Sequence, residues 1–63
     1  MDEIYVEEFA ASKNYMDNYI DVRNKALNRV NNFFNIHTGY QALNIIEEWS
    51  ADKSTLRLIV YYY

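Results

Sequence analysis

The order of apolar and polar residues predicts one amphipathic helix over residues 15–35. At the helical spacing of about 100° per residue, the apolar side chains fall within one arc of roughly 160°. The members of the arc are Tyr15, Met16, Tyr19, Ile20, Val22, Ala26, Leu27, Val30, Phe33 and Phe34. Only Arg23 interrupts the arc, while asparagine and charged residues fill the opposite side. The pattern is typical of a helix that packs on a single surface.

Polar residues and the one glycine mark the predicted ends of this helix. Ser12 or Asn14 is expected to cap the first turn, which would then contain Asp17. Asp21 and Lys25 have the i,i+4 spacing of a favourable ion pair. Gly39 follows the apolar run, where a left-handed residue commonly ends a helix.

Three further segments have the character of strands. Residues 4–9 are short and rich in β-formers, and residues 54–63 alternate strictly between two faces. Residues 50–53 suit a hairpin loop. Residues 40–49 fit either a strand or a helix. The fold class is therefore α+β, with one helix on a small antiparallel sheet in the order strand-helix-strand-strand; the alternative is strand-helix-helix-strand.

Composition limits the chemistry of the chain. Its 63 residues form a single domain (1–63) with 51% hydrophobic residues, 17% aromatic residues and no cysteine. Disulfides and thiolate metal sites are thereby excluded, and no metal or other cofactor is expected. The net charge of −3 argues against binding to duplex nucleic acid. The chain has no apolar stretch of membrane-spanning length, so we expect a cytoplasmic protein.

One helix covers one face of a three-stranded sheet, which leaves the other face exposed. We expect the helix to cover Ile4, Val6, Leu56, Leu58 and Val60. The exposed face would then carry Tyr5, Phe9, Ile59, Tyr61 and Tyr63, interleaved with Glu7 and Arg57. Such a patch is uncommon on a soluble monomer. It predicts a homo-oligomer, in which two sheets stack or edge strands pair. The expected oligomer interface comprises Phe9, Ile59, Tyr61 and Tyr63.

The candidate ligand- or partner-binding residues are Arg23, Arg57, Tyr5, Tyr61 and Tyr63. Tyrosine rings stack on bases or fill grooves of proteins, and arginines hold anions. The alternative for Arg23 is a stem packed at the core edge with its head in water or on a carboxylate.

The charged residues could form ion pairs or take part in catalysis. Arg57 is expected to pair across strands with Glu7 or Glu47. The acidic pairs Glu7-Glu8 and Glu47-Glu48 would approach each other only on adjacent strands, where a carboxylate dyad or an Mg²⁺ or Ca²⁺ site would become conceivable. A salt-bridged or solvated role is favoured for them. His37 follows the predicted helix and fits a capping or surface role. We therefore predict no catalytic and no metal-binding residue.

Three stretches resemble a family of very short proteins from Gram-positive bacteria and their phages, often described as small sporulation proteins. They are residues 30–34 (VNNFF), 44–50 (NIIEEWS) and 58–62 (LIVYY). The resemblance implies a strand, a helix and then a hairpin, which favours a strand over residues 40–49. It also implies a phage or mobile-element origin, and it transfers no catalytic residue.

Together these observations predict a small, non-enzymatic, homo-oligomeric binding protein, phage-related and located in the host cytoplasm. Its expected role is to sequester or inhibit a host factor, either a host protein or a small nucleotide-like anion. The alternative is a structural or interaction protein of a sporulation or phage assembly.

Overall fold

The computed structural model describes residues 3–63 and contains one helix and three strands. Strand β1 spans Tyr5–Ser12, helix α1 spans Tyr19–Ile36, strand β2 spans Ala42–Trp49 and strand β3 spans Thr55–Tyr62. The predicted α+β class and the order strand-helix-strand-strand are confirmed. The ambiguous third segment is a strand, so the alternative with two helices is wrong.

Strand β3 lies at the centre of the sheet, which has the order β1-β3-β2 with antiparallel neighbours on both sides. Its alternation is as expected from the sequence. Leu56, Leu58, Val60 and Tyr62 are buried under the helix, whereas the residues between them point to the other face. A central strand buried on one face needs this pattern, because successive side chains point to opposite sides.

Helix α1 rests on β1 and β3 and makes no backbone contact with β2. Val22, Ala26 and Val30 are buried against the sheet. Their i, i+4, i+8 spacing forms a single row along the helix, and the alanine at its centre lets the helix approach the sheet closely. The core therefore lies between α1 and strands β1 and β3, and the side chains of Tyr19 and Arg23 reach from α1 to Trp49 and Glu47 of β2.

The predicted facing of β1 is wrong. Phe9 pairs with Leu58 and Ala11 with Leu56, so both point towards the helix, and Val6 pairs with Tyr61 on the exposed side. Opposite residues of an antiparallel pair share a face. Residues 4–9 carry apolar side chains on both faces, so this segment alone does not determine which face meets the helix. The pairing register with β3, which extends to the buried Ala11, determines it.

Helix α1 begins four residues later than predicted, because Asn18 is its N-cap rather than Ser12 or Asn14. The Asp21 N–H donates to Asn18 Oδ1 (3.0 Å), and the Asn18 N–H donates to Asp21 Oδ2 (3.1 Å). This reciprocal arrangement is a capping box. With Asp21 used at the cap, the ammonium of Lys25 pairs with Asp17 instead, and the predicted Asp21–Lys25 pair is absent.

The predicted left-handed cap at Gly39 is also wrong. His37 ends the helix, and its N–H donates to Phe33 O (2.9 Å). Gly39 has no positive φ, and the left-handed residue in the described part of the chain is Lys53, with φ of 63°. Lys53 lies in the β2–β3 hairpin, so the special backbone conformation is used for the turn rather than for the end of the helix.

The β2–β3 hairpin is organised around one carboxylate. Asp52 accepts hydrogen bonds from the hydroxyls of Ser50 and Ser54 (both 2.7 Å) and from the Ser54 N–H (3.0 Å). These bonds, led by the Ser54 hydroxyl, lower the pKa of Asp52 to about 2. The loop predicted from its aspartate and serine is confirmed, and the ionised side chain holds it closed.

Candidate binding surfaces

The sheet face turned away from α1, called here the open face, carries an apolar patch that crosses all three strands. Val6 lies opposite Tyr61 and Ile46 lies opposite Ile59. Ile59 is partly exposed, and the other three side chains are exposed over 37–53% of their surface. The placement of Ile59 and Tyr61 on this face agrees with the expectation from the sequence. A cavity of about 240 Å³ lies beside the patch, and its lining does not include these four residues; it comprises Ala10, Glu48, Trp49, Ser50, Thr55 and Arg57.

Arg57 occupies the open face next to this patch and is held between two carboxylates. Its Nη1 lies 3.2 Å from Glu8 Oε1, and its Nη2 donates to Glu48 Oε1. The carboxylates, Glu48 first, raise the pKa of Arg57 above its ordinary value. The predicted partners Glu7 and Glu47 are wrong, because they lie on the helix side of the sheet.

Arg23 projects from α1 towards the uncovered edge strand β2. Its Nε donates to Glu47 Oε1 (2.9 Å), and both side chains are about half exposed. The arrangement agrees with a stem packed at the edge of the core and a head on a carboxylate. Both candidate arginines are therefore ion-paired within the chain.

The two acidic pairs do not form a dyad. Strand β3 separates β1 from β2, so Glu8 and Glu48 flank Arg57 instead of facing each other, and Glu7 and Glu47 lie on the opposite side. Within residues 3–63 no group of three histidine, cysteine, aspartate or glutamate side chains is placed to hold a metal ion.

Tyr5 and Phe9 do not lie on the open face where they were expected. The Tyr5 ring lies 5.5 Å from that of Tyr62 on the helix side, and Phe9 packs under the helix. Tyr63 continues the alternation of β3 onto the open face, and its hydroxyl donates to Gln41 Oε1 (2.9 Å). Of the five candidate binding residues, Arg57, Tyr61 and Tyr63 therefore share one face.

An aromatic cluster closes the end of the core on the helix side. The His37 ring lies 5.5 Å from that of Tyr40, with planes inclined at 30°, and 4.6 Å from that of Phe33. Tyr62 lies beneath them, and burial is the main cause of its raised pKa, assisted by the charge of Glu7. His37 thus combines the predicted capping role with aromatic packing.

Beside β1 lies a basic cavity that is not predicted from the sequence. The cavity has a volume of about 460 Å³ and is lined by Ala10, Ala11, Ser12, Asn14, Lys25 and Arg29. Lys25 and Arg29 are four residues apart on one flank of α1, a spacing visible in the sequence. The position of that flank above the β1 edge depends on how the helix packs on the sheet, which the spacing does not encode.

Comparison with protein-family models, with curated proteins and with solved structures finds no match for this chain. No helix within residues 3–63 is long and apolar enough to cross a membrane.

Proposed function

We propose that the chain is a small, non-enzymatic, homo-oligomeric binding protein that sequesters or inhibits a protein of its host, in keeping with the phage origin that the resemblance implies. The open face is the surface that contacts the host protein. The observation that carries the proposal is the apolar patch of Val6, Ile46, Ile59 and Tyr61, which extends across three strands and is covered by no helix of residues 3–63.

The form of this patch supports a protein partner over a small ligand. Sites for small molecules are usually concave, with volumes of about 300–1,000 Å³, whereas the cavity beside Arg57 on the open face has a volume of about 240 Å³ and is not lined by the four patch residues. Interfaces between proteins have an apolar centre with tyrosine and arginine enriched and a polar rim. Tyr61 supplies the aromatic anchor, and the Glu8–Arg57–Glu48 group supplies the rim.

The pairing of the two candidate arginines weighs against a nucleotide-like anion. Arg57 contacts two carboxylates and Arg23 contacts one. An anion would have to displace a carboxylate from each guanidinium and would meet the negative charge of the displaced group. We therefore propose the host-protein branch of the function and not the nucleotide branch.

The proposal is tested by affinity capture from host lysate with three baits: the wild-type chain, Ile59→Lys and the control Asn28→Asp. Asn28 lies on the exposed side of α1, away from the open face. We expect the wild type and the control to retain one host protein in stoichiometric amount and Ile59→Lys to lose it. The purified host protein should then bind the wild type at a 1:1 ratio of chains and lose its own activity.

Two results would overturn the proposal. One is equal capture of the same protein by Ile59→Lys. The other is a change in the oligomeric state of Ile59→Lys without any captured partner, which would make the open face a contact between copies. That second result would favour a structural protein of a phage or sporulation assembly.

A further inference from the structure

Strand β1 has a free edge, since among residues 3–63 β3 is its only neighbour in the sheet. The Lys13 N–H donates to Ser54 O (2.6 Å) on the β3 side. In an antiparallel ladder the backbone groups of alternate residues point to opposite sides. The N–H and C=O groups of Val6, Glu8, Ala10 and Ser12 therefore point away from β3. This row is a ready template for another strand.

The charges along this edge separate into two halves. Glu3, Glu7 and Glu8 lie at or near the first half of β1. Lys13 follows its second half, where Lys25 and Arg29 of α1 line the basic cavity. Lys25 is paired with Asp17, whereas Arg29 forms no ion pair with any residue in 3–63. A strand that complements this edge in antiparallel orientation should be acidic in its first half and basic in its second.

Strand β1 itself has this charge distribution, and we therefore propose that the occupant of the β1 edge is the β1 strand of a second copy. The inference deepens the proposed function, because it specifies how the homo-oligomer forms. The two strands pair antiparallel about a twofold axis perpendicular to the sheet, as in an isologous dimer. The result is a continuous six-stranded sheet with both helices on the same side.

The register follows from the face and charge of each residue. The twofold axis requires that directly opposite residues point to the same face. With Phe9 at the axis, Glu8 lies opposite Ala10 of the partner subunit and Val6 lies opposite Ser12 of the partner subunit. All four residues with outward backbone groups are then paired. A shift that centred the axis on Glu8 would place two glutamates directly opposite each other, which is unfavourable.

In this register the acidic half of one strand enters the basic cavity of the other copy. Glu7 lies opposite Ala11 of the partner subunit, and Ala11 lines the cavity beside Arg29. Each carboxylate thus reaches a guanidinium that has no partner among residues 3–63 of its own chain. The contact occurs twice, once on each side of the axis.

The position of the helix agrees with this arrangement. Strands in a sheet lie about 4.8 Å apart, and α1 rests on β1 and β3 only. The two helices of the dimer would therefore lie about 10 Å apart, close to the usual distance between packed helices. The same edge pairing through β2 would leave the helices too far apart to touch.

Exposed apolar residues at both ends of the β1 side fit the same dimer. Ile4 and Ile36 lie at one end, and Tyr15 and Met16 lie at the other. Ile36 is seven residues from Arg29 and so projects from the same flank of α1. The twofold axis brings one end of each copy to the opposite end of the other. Each of these four side chains is exposed over at least 58% of its surface. In the dimer, Ile4 and Ile36 of one copy would lie at the same end as Tyr15 of the partner subunit and Met16 of the partner subunit.

Disulfide trapping tests the pairing and its register, because the chain contains no cysteine. Glu8→Cys with Ala10→Cys places two symmetric pairs at the spacing that a disulfide requires. The control is Glu8→Cys with Ser12→Cys, which is two residues out of register. We expect the first variant to form covalent dimers under mild oxidation at least about tenfold faster than the control. Equal rates, or no dimer, would overturn the proposal.

Charge reversal tests the contact between Glu7 and Arg29. We expect Glu7→Arg and Arg29→Glu each to raise the dimer dissociation constant about tenfold or more, because each change removes two ion pairs and creates repulsion. The double variant should recover most of the affinity. The control Asn24→Glu lies on the exposed side of α1 and should leave the constant unchanged. Failure of the double variant to recover would contradict the contact.

Failure of this inference is distinguishable from failure of the proposed function. If the cysteine pair does not cross-link while Ile59→Lys still loses the host protein, the β1 edge is not the dimer interface but the open face keeps its role. If an added acidic peptide binds the monomer and Arg29→Glu abolishes that binding, the edge receives a strand of another protein, and a second copy is not its occupant.

Discussion

Phe9 on β1 packs edge-on against Phe33 of α1, with ring centroids 5.5 Å apart and planes inclined at 67°. The contact fixes which face of β1 meets the helix. With Phe9 turned towards α1, Val6 and Glu8 necessarily point to the open face, where Val6 joins Ile59 and Tyr61. The position of one aromatic side chain thus determines the composition of the exposed surface.

Phe9 and Val6 lie on opposite faces of β1, and truncating each of them should change the stability of the fold to a different extent. Phe9→Ala is expected to lower the free energy of unfolding by about 2–3 kcal/mol, below the value for a fully buried phenylalanine because Phe9 is only partly buried. Val6→Ala should change it by less than about 0.5 kcal/mol. Urea denaturation at one fixed protein concentration measures both. A larger loss for Val6→Ala would place Val6, not Phe9, in the core.

Removal of the N-cap should destabilise the helix. Asn18→Ala is expected to lower the free energy of unfolding by about 1 kcal/mol, because the Asp21 N–H loses its acceptor. The matched control is Asn24→Ala on the exposed side of α1, which should be neutral or slightly stabilising since alanine has the higher helix propensity. Thermal unfolding followed by circular dichroism compares them. Similar destabilisation by both variants would contradict the capping role.

The hairpin should make stability depend on pH in the acid range. The pKa of Asp52 falls to about 2 in the folded chain from an ordinary value of 3.8, so the folded state favours the ionised carboxylate. Its stabilising effect is complete above about pH 4 and is lost as the pH falls towards 2. We expect Asp52→Asn to be less stable than the wild type at pH 7 and equally stable near pH 2. A constant difference across that range would exclude the Asp52 carboxylate as the cause.

The carboxylates of Glu8 and Glu48 should destabilise the fold when the guanidinium of Arg57 is removed. Arg57→Gln leaves Glu8 and Glu48 on one face without their shared cation, and we expect lower stability at low salt that partly recovers at high salt. Adding Glu8→Gln and Glu48→Gln to Arg57→Gln should restore stability at low salt. Denaturation at two ionic strengths tests this. The same loss with and without the glutamates would show that packing of the arginine stem, and not charge, is responsible.

Much of the fold could be predicted because the apolar periods of α1 and β3 are unambiguous. Which face of β1 meets the helix could not be predicted, because both sides of residues 4–9 carry apolar side chains. The pairing with β3 determines that face. Asn18 was overlooked as the cap because Tyr15 and Met16 continue the helical apolar pattern in front of it, although both are exposed. The arginine partners depend on strand order, and no local pattern encodes that order.

The self-association that underlies the proposed function is tested most directly by the mass of the particle in solution. Sedimentation equilibrium of the wild-type chain across micromolar concentrations should give a reversible dimer, with twice the chain mass of 7.6 kDa. Arg29→Glu should shift the equilibrium towards monomer, and the control Asn24→Glu should not. A wild-type chain that remains a folded monomer throughout this range would contradict the account.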